Sequence, residues 1–158
     1  MLIPFARAGA LPLLKKCFGK SVITKSVFEE VAGQQKTGAS EVAEAAGNWI
    51  GVERQPVEKN AAMLLADKEG ISEADAELLL LAKQKSFLLV SNDKRLLLAA
   101  RARGVQSWWA AEIIFRLLLQ KKLGKKEALE LLKKLSESGL RVSLETYTAI
   151  ERKIESLE

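Results

Sequence analysis

Two aspartates, Asp75 and Asp93, lie on either side of a short apolar segment in the middle of the chain. Asp75 falls in the first turn of a helix predicted over residues 72–85, and Asp93 follows a strand predicted over residues 86–90. In an open α/β sheet, ligands bind beyond the carboxyl ends of the strands, which is where we expect Asp93. Two carboxylates at such an edge, with basic residues nearby, indicate a site for a divalent metal ion and a phosphodiester.

Each aspartate also has a purely structural interpretation. Asp75 stands three residues after Ser72, and Ser-x-x-Asp is a common helix start, where the helix dipole favours an acid. Asp93 ends a Ser-Asn-Asp turn sequence and can cap a basic helix predicted over residues 94–103. The placement of both acids around one strand, more than either acid alone, favours the metal-site hypothesis.

Two further candidate acids, the adjacent Glu29 and Glu30, lie in a helix that follows a strand predicted over residues 21–24. Successive positions of a helix diverge by about 100°, so at most one of the two side chains can point into a site. Glu29 forms a capping-box pattern with Ser26, which gives it a structural role of its own.

Composition narrows the chemistry that the chain can perform. The 158 residues (17.4 kDa) are enough for one domain with a sizeable core. Because the chain has no His, His-based acid–base catalysis, the usual zinc sites and the usual nucleophilic triads are excluded. A single cysteine, Cys17, fits a reducing compartment, and the sequence shows neither a secretory signal nor a membrane span. We therefore expect a cytoplasmic protein.

The net charge of +5 and the sequence pI near 9.4 favour polyanions, although a modest surplus of Lys also serves solubility. Basic residues are dense just after Asp93, at Lys94, Arg95, Arg101 and Arg103. Such a run is more often a solvated helix face than a binding site. Its position beside the acids gives it a second interpretation, as a surface for a nucleic-acid backbone.

Helices and strands alternate along the sequence, which predicts an α/β fold with a parallel sheet. Polar and apolar periodicity separates the elements, and Gly19, Gly70, Gly104 and Gly139 mark helix ends or breaks. Strands are predicted over residues 21–24, 49–54 (ended by Pro56), 86–90 and 105–107. Helices are predicted over residues 4–18, 58–68, 72–85, 94–103, 108–123, 125–138 and 143–157. Two more helices are predicted, one before and one after a polar loop at residues 33–40. Trp108 and Trp109 are expected in the core.

The pattern around the aspartates resembles the second half of a PIN-domain nuclease. The matching residues are Ser72, Asp75, Ala76 and Ala82 before the strand, and Ser91, Asn92, Asp93 and Leu96 after it. The Gly104-Val105 pair fits the same pattern, and residues 22–31 resemble the strand and helix that carry the second acid of that family, at Glu30. Within the family the chain resembles the VapC-like toxin group, and the tail segment LLKKLSESGLRVSLETY is similar to one branch of it.

The resemblance implies a three-layer α/β/α fold with a central, mostly parallel sheet. Residues 1–124 would form the PIN-like domain, and residues 125–158 a C-terminal helical hairpin packed on it. Glu30, Asp75 and Asp93 would hold Mg²⁺ or Mn²⁺. The resemblance also implies that Ser91 and Asn92 support the site by orienting Asp93. It implies that Lys94, Arg95 and Arg101 bind the RNA backbone. The implied activity is a metal-dependent endoribonuclease, the toxin-like member of a toxin–antitoxin pair, with a small antitoxin and a homodimer as expected partners.

One departure from the PIN pattern bears on activity. PIN domains open with a strand that ends in Asp-x-Ser and supplies the first metal ligand, whereas this chain starts at Met1 and has no acid before Glu29. We expect a true start upstream of Met1, since removing a central strand would expose two strand edges. The alternative is a PIN-fold protein that binds nucleic acid or a protein without cutting. A receiver-like phosphotransfer module is a third hypothesis, but its acceptor Asp and later Lys have no convincing equivalents here.

Overall fold

The computed structural model describes residues 1–33, 37–54 and 58–157, which form ten helices and four short strands. Pro56 and residues 34–36 of the loop expected at residues 33–40 lie outside these described residues. Within the described ranges, no helix has the length and apolar character needed to cross a membrane. The helices are α1 (Leu2–Arg7), α2 (Leu11–Phe18), α3 (Lys25–Gly33), α4 (Ala39–Ala46), α5 (Lys59–Glu69), α6 (Glu73–Lys85), α7 (Lys94–Ala102), α8 (Ala110–Leu119), α9 (Lys125–Glu137) and α10 (Leu144–Ser156); the strands are β1 (Ser21–Thr24), β2 (Ile50–Glu53), β3 (Leu89–Val90) and β4 (Ser107–Trp108).

The four strands form two separate parallel pairs instead of one central sheet. Strand β1 pairs with β2 over four residues, from Ser21 opposite Ile50 to Thr24 opposite Glu53. Strand β3 pairs with β4 over two residues, Leu89 with Ser107 and Val90 with Trp108. The α/β class and the parallel pairing agree with the sequence, whereas the described residues do not join the two pairs into a single sheet.

The helix predicted over residues 4–18 is two helices, because Gly9 breaks it. Gly9 has φ +65°, a left-handed conformation that glycine adopts without a Cβ penalty. Its backbone N–H donates to the Ala6 carbonyl (2.9 Å), and that of Ala10 donates to the Phe5 carbonyl (2.7 Å). These bonds close α1 and let α2 start in a new direction, with Pro12 in its first turn.

The strand predicted over residues 86–90 is shortened because the end of α6 takes up its first residues. Ser86 has φ +55° and caps α6, and the Phe87 N–H donates to the Ala82 carbonyl (2.9 Å). The Phe87 side chain is 43% exposed, so the apolar run before Leu89 is only partly buried. Local helix termination therefore overrides the strand propensity of this segment.

The helix predicted over residues 108–123 begins later and ends earlier than expected. Trp108 belongs to β4, and Trp109 is an extended N-cap whose N–H donates to the Glu112 carboxylate (2.8 Å). Lys121 has φ +53°, beyond the end of α8. Both Trp side chains are half-buried, with Trp109 packed against the larger core.

Buried side chains fall into two clusters. The larger core joins β1 and β2 to α1, α2, α4, α8, α9 and α10, and includes Phe5, Ile50, Ile114 and Leu132. The smaller core lies among α5, α6, α7 and β3, and includes Leu79 and Leu96. Helix α6 contacts elements on both sides, since it packs on β1 and α3 as well as on α5, α7 and β3. The C-terminal helices α9 and α10 contribute to the larger core through Leu131, Leu135, Ile150 and Ile154.

Candidate active site

Asp75 lies at the start of α6, which Ser72 caps. The Ser72 hydroxyl accepts a hydrogen bond from the Asp75 N–H (3.1 Å), so the Ser-x-x-Asp pattern is a helix start. Asp75 is half-buried, whereas Glu73 in the same turn is exposed. Capping therefore explains Ser72 but does not explain why the Asp75 side chain is partly withdrawn from water.

Asp93 caps α7 with one of its two carboxylate oxygens. Asp93 Oδ1 accepts from the Leu96 N–H (2.8 Å), and the Ser91 hydroxyl accepts from the Asp93 N–H (3.1 Å). These bonds fix the Asp93 backbone and carboxylate just past the carboxyl end of β3. Asp93 is exposed, so the side of its carboxylate that does not face Leu96 is open to a ligand from solvent.

Glu30 and Glu29 have different surroundings on α3. Glu29 pairs with Lys25 (Nζ to Oε1, 3.3 Å) on an exposed face. The capping box predicted for Ser26 and Glu29 is wrong, because α3 already begins at Lys25 and the Thr24 hydroxyl accepts from the Val27 N–H (3.3 Å). Glu30 is the glutamate that acts electrostatically on Asp75.

The charges of the other two acids, Glu30 and Asp93, act on Asp75. Burial is the largest cause of a raised pKa at Asp75, and the charges of Asp93 and Glu30 raise that pKa further. The Ser72 hydrogen bond and the Met1 nitrogen act in the opposite direction. Met1 itself lies close to Asp75 and Glu30, where burial lowers the pKa of its amino group. Glu30 on α3 and Asp93 after β3 therefore lie near enough to Asp75, at the start of α6, for their charges to act on it.

The spacing of these acids is wider than a closed coordination sphere. Within residues 1–33, 37–54 and 58–157, no three Asp, Glu or Cys side chains are grouped so that they could hold a metal ion. The cap explains part of this, since Asp93 Oδ1 is directed at the backbone of α7. Mg²⁺ commonly binds through one or two carboxylates and keeps several waters, so wide spacing does not conflict with such an ion.

Asn92 adds a buried oxygen beside Asp93. Asn92 Oδ1 is shielded from solvent and accepts no hydrogen bond from the described residues, while its Nδ2 faces the Arg141 carbonyl at 3.5 Å. The Ser107 hydroxyl, on β4, is likewise buried without a partner there. An unsatisfied buried oxygen is costly, so Asn92 Oδ1 is suited to a metal ion or a bound water. The donor set around Asp93 is thus made of oxygen, as Mg²⁺ and Mn²⁺ prefer.

Two of the basic residues after Asp93 have structural partners. Arg95 donates from Nη1 to the Gly70 carbonyl (3.0 Å), and Arg103 pairs with Glu69 (2.7 Å), so both tie α7 to the end of α5. Lys94 and Arg101 are exposed and form no ion pair with the described residues. Among the predicted RNA contacts, Lys94 and Arg101 are therefore the more available cations.

Two surface depressions lie away from the acids. One, of about 480 Å³, is lined by residues of α5 and the turn into α6, including Met63 and Gly70. The other, of about 380 Å³, lies between α2 and α4 and is lined by Lys15, Glu44 and others. None of the three acids lines either depression. Glu30 and Asp93 are exposed to solvent, and Asp75 is half-buried.

Comparison with known proteins gives one match. A family model described as a PIN domain matches residues 1–156, nearly the whole chain. Neither the curated proteins nor the solved structures contain a match.

Proposed function

The chain belongs to the PIN-domain family, and from that premise we propose that it is a metal-dependent endoribonuclease. PIN domains are commonly nucleases, and the observation that carries the proposal here is that the charges of Glu30 and Asp93 both act on the half-buried Asp75. Carboxylates that repel one another at a strand end are stabilised by a divalent cation. The exposed cations Lys94 and Arg101 support a polyanionic substrate.

The proposed metal ligands come from Glu30, Asp75 and Asp93, of which an ion that keeps several waters needs only one or two, with Asn92 Oδ1 as a further oxygen. When bound, Mg²⁺ or Mn²⁺ lowers the pKa of a coordinated water and offsets negative charge on the reacting phosphate. Asp93 is positioned for this role by Ser91 and by its own cap on α7. Burial and the charges of Asp93 and Glu30 raise the pKa of Asp75, and a cation bound beside it would offset these charges.

Cleavage of a single-stranded RNA in Mn²⁺ tests the proposal. We expect Asp93→Asn to reduce the rate at least about a hundredfold, because the cap is kept and only the charge is lost. Glu73→Gln is the matched control, since Glu73 is an exposed acid in the first turn of α6 and should leave the rate unchanged. Cleavage that persists in Asp93→Asn would identify a contaminating nuclease and contradict the proposal.

The second candidate function is a PIN-fold module that binds nucleic acid or a protein without cutting. The wide spacing of the acids in the described residues favours it. It predicts RNA binding in Mn²⁺ without strand scission, equal in the natural chain and in Asp93→Asn. A rate that depends on both Mn²⁺ and Asp93 would eliminate it.

The biological role follows as part of the same proposal. Resemblance to the VapC-like group supports a toxin-like protein of the cytoplasm that forms a homodimer and is neutralised by a small antitoxin. Light scattering on the purified chain tests the dimer. Growth arrest on expression that disappears in Asp93→Asn tests the toxin role, and growth unaffected by the natural chain would contradict it.

A further inference from the structure

A second basic surface lies far along the sequence from Asp93. Residues 15–20 and 116–126 contain eight of the 25 Lys and Arg residues of the chain and none of its 20 acids, whereas the rest of the chain has more acids than bases. The first segment ends α2 and leads into β1, and the second runs from the last turns of α8 into α9. The net positive charge of the protein is therefore concentrated in these two segments.

The fold brings the two segments together. Lys122 Nζ donates to the Lys16 carbonyl (2.5 Å), which joins the turn after α8 to the last turn of α2. Cys17 lies between them: burial raises the pKa of its thiol, and the charges of Arg116 and Lys122 act in the opposite direction. The Arg116 guanidinium lies over the Trp108 ring (5.1 Å to the centroid), which holds it in place.

Three of these eight cations face groups outside the two segments. Lys15 faces the depression that Glu41 and Glu44 also line, Lys125 Nζ donates to the Glu155 carbonyl, and the charge of Lys126 acts on Glu130. The remaining five are exposed and form no ion pair with the described residues, and we call them the α2–α8 basic surface: Lys16, Lys20, Arg116, Lys121 and Lys122. The dipoles of α2 and α8 favour cations in their last turns, but Lys20, Lys121 and Lys122 lie beyond the ends of these helices.

The α2–α8 basic surface is not part of the acid site. Helix α2 ends directly before the amino end of β1, whereas Glu30 and Asp93 follow the carboxyl ends of β1 and β3. Lys16 and Lys20 therefore lie toward the amino end of β1 and Glu30 toward its carboxyl end. The Arg116 guanidinium lies over one face of the Trp108 ring, so that face is not available to stack on a base.

We propose that the α2–α8 basic surface binds the phosphodiester backbone of a polynucleotide, as a contact separate from the acid site. Clustered cations without acidic partners favour a polyanion through counterion release, and contacts of this kind carry no sequence preference. The inference does not depend on cleavage, so it holds for a nuclease and for a non-cutting binder alike.

The test is binding of a labelled 20-nucleotide single-stranded RNA, and of the same sequence in DNA, measured in EDTA over a range of KCl concentrations. The test variant combines Lys16→Gln, Lys20→Gln and Lys121→Gln, and it retains Lys122 because that side chain bonds to α2. The control combines Lys83→Gln, Lys85→Gln and Lys133→Gln, which removes the same charge from other exposed positions. Thermal melting of both variants establishes that they fold.

We expect the test variant to bind RNA about tenfold more weakly near 100 mM salt, and the slope of log K against log salt to fall by about 2. The control should lose much less affinity. Equal losses of RNA affinity in the test and control variants would show a general effect of net charge. No loss of affinity in the test variant would show that the α2–α8 basic surface does not contact RNA. Either result overturns the proposal. The proposal is also overturned if the test variant loses binding to anionic phosphatidylglycerol vesicles while its RNA binding is unchanged. That result would assign the surface to a membrane.

Discussion

At the scale of single residues, the aspartates of the candidate site differ in whether they cap a helix as well as carry a charge. Asp93 serves both, with one oxygen on the α7 backbone and the rest of the carboxylate exposed. Asp75 does not: Ser72 supplies the cap, and the half-buried Asp75 carboxylate is destabilised by burial and by its acidic neighbours. An acid retained at a cost to stability is typical of a functional position.

Asp75→Asn should stabilise the protein at neutral pH. The folded-state pKa of Asp75 lies above its ordinary value of 3.8, so its stabilising contribution is present below pH 3.8 and is lost as the pH rises through the folded-state pKa. We expect Asp75→Asn to raise the Tm by about 1–2 °C at pH 7, a modest gain because the group is only half-buried, and the gain should shrink toward pH 3.8. Calorimetry at several pH values measures this, with Glu73→Gln as the control. A lower Tm in Asp75→Asn at pH 7 would contradict it.

Replacements at Asp93 should separate its capping role from its charge. Asn caps a helix about as well as Asp, so Asp93→Asn should leave the free energy of unfolding nearly unchanged. Asp93→Ala removes the bond from the Leu96 N–H and should cost about 1 kcal/mol. If the proposed activity is correct, both variants lose cleavage. Urea denaturation gives the stabilities; equal destabilisation by Asn and Ala would show that the cap is not the relevant interaction.

The metal prediction has a readout that does not require activity. Mn²⁺ should raise the Tm of the natural chain by mass action, because the ion binds only the folded acids. The rise should be smaller in Asp75→Asn, which loses a proposed ligand and much of the repulsion that the ion relieves. Differential scanning fluorimetry with Mn²⁺, and with Ca²⁺ for comparison, measures it. An equal rise in both proteins would place the ion elsewhere.

The sequence predicted the positions of Asp75 and Asp93 better than it predicted the groups that surround them. Asp75 and Asp93 are recognisable because a cap and a strand end are local features, and they lie where those features predict. The buried Ser107 hydroxyl and the nitrogen of Met1 give no sequence signal, since their positions depend on tertiary packing alone. The roles of Glu30, Asp75 and Asp93 as metal ligands stay predictions.

At the scale of secondary structure, helices were predictable because their ends are coded locally. Gly70 and Gly139 end helices as expected, and α9 and α10 lie within two residues of their predicted bounds. Strands were less predictable, since β3 and β4 are two residues long and depend on each other for pairing. The joining of strands into one sheet depends on non-local contacts that periodicity does not specify.

Gly9→Ala tests whether the break between α1 and α2 is set by backbone conformation. A Cβ at Gly9 would contact nothing within 4 Å, so its cost comes from the φ of +65° alone, about 1–2 kcal/mol. Gly47→Ala is the matched control: Gly47 caps α4 with φ −78°, and its Cβ would make an ordinary contact at 3.5 Å, so we expect little change or a small gain. Urea denaturation compares the two. A neutral Gly9→Ala would mean that α1 and α2 join into the single helix that the sequence suggests.

At the scale of the whole molecule, the acids lie where two unequal cores meet. Six of the 11 residues in the smaller core are alanine, against six of 21 in the larger core, which also includes Phe5 and several Ile and Leu side chains. Alanine buries little apolar area, so the smaller core gains less stability per residue. Helices α6 and α7, which carry Asp75 and Asp93, belong to this weaker part. Glu30, on α3, is attached to the stronger part through β1.

Hydrogen exchange should therefore find α5, α6 and α7 less protected than α8 and α9. A matched pair of core variants sharpens the test: Leu65→Ala in the smaller core and Leu131→Ala in the larger one remove side chains of similar burial. Leu65→Ala should speed exchange mainly in α5–α7, whereas Leu131→Ala should speed it throughout, because α5–α7 pack on the larger core through α6. Mn²⁺ should slow exchange at the first turns of α6 and α7 if the acids bind it. Uniform protection, with both variants acting alike, would show one cooperative core. Helices α6 and α7, beside the acid site, would then unfold only together with the larger core. Metal binding could therefore not slow exchange by suppressing local unfolding of these helices.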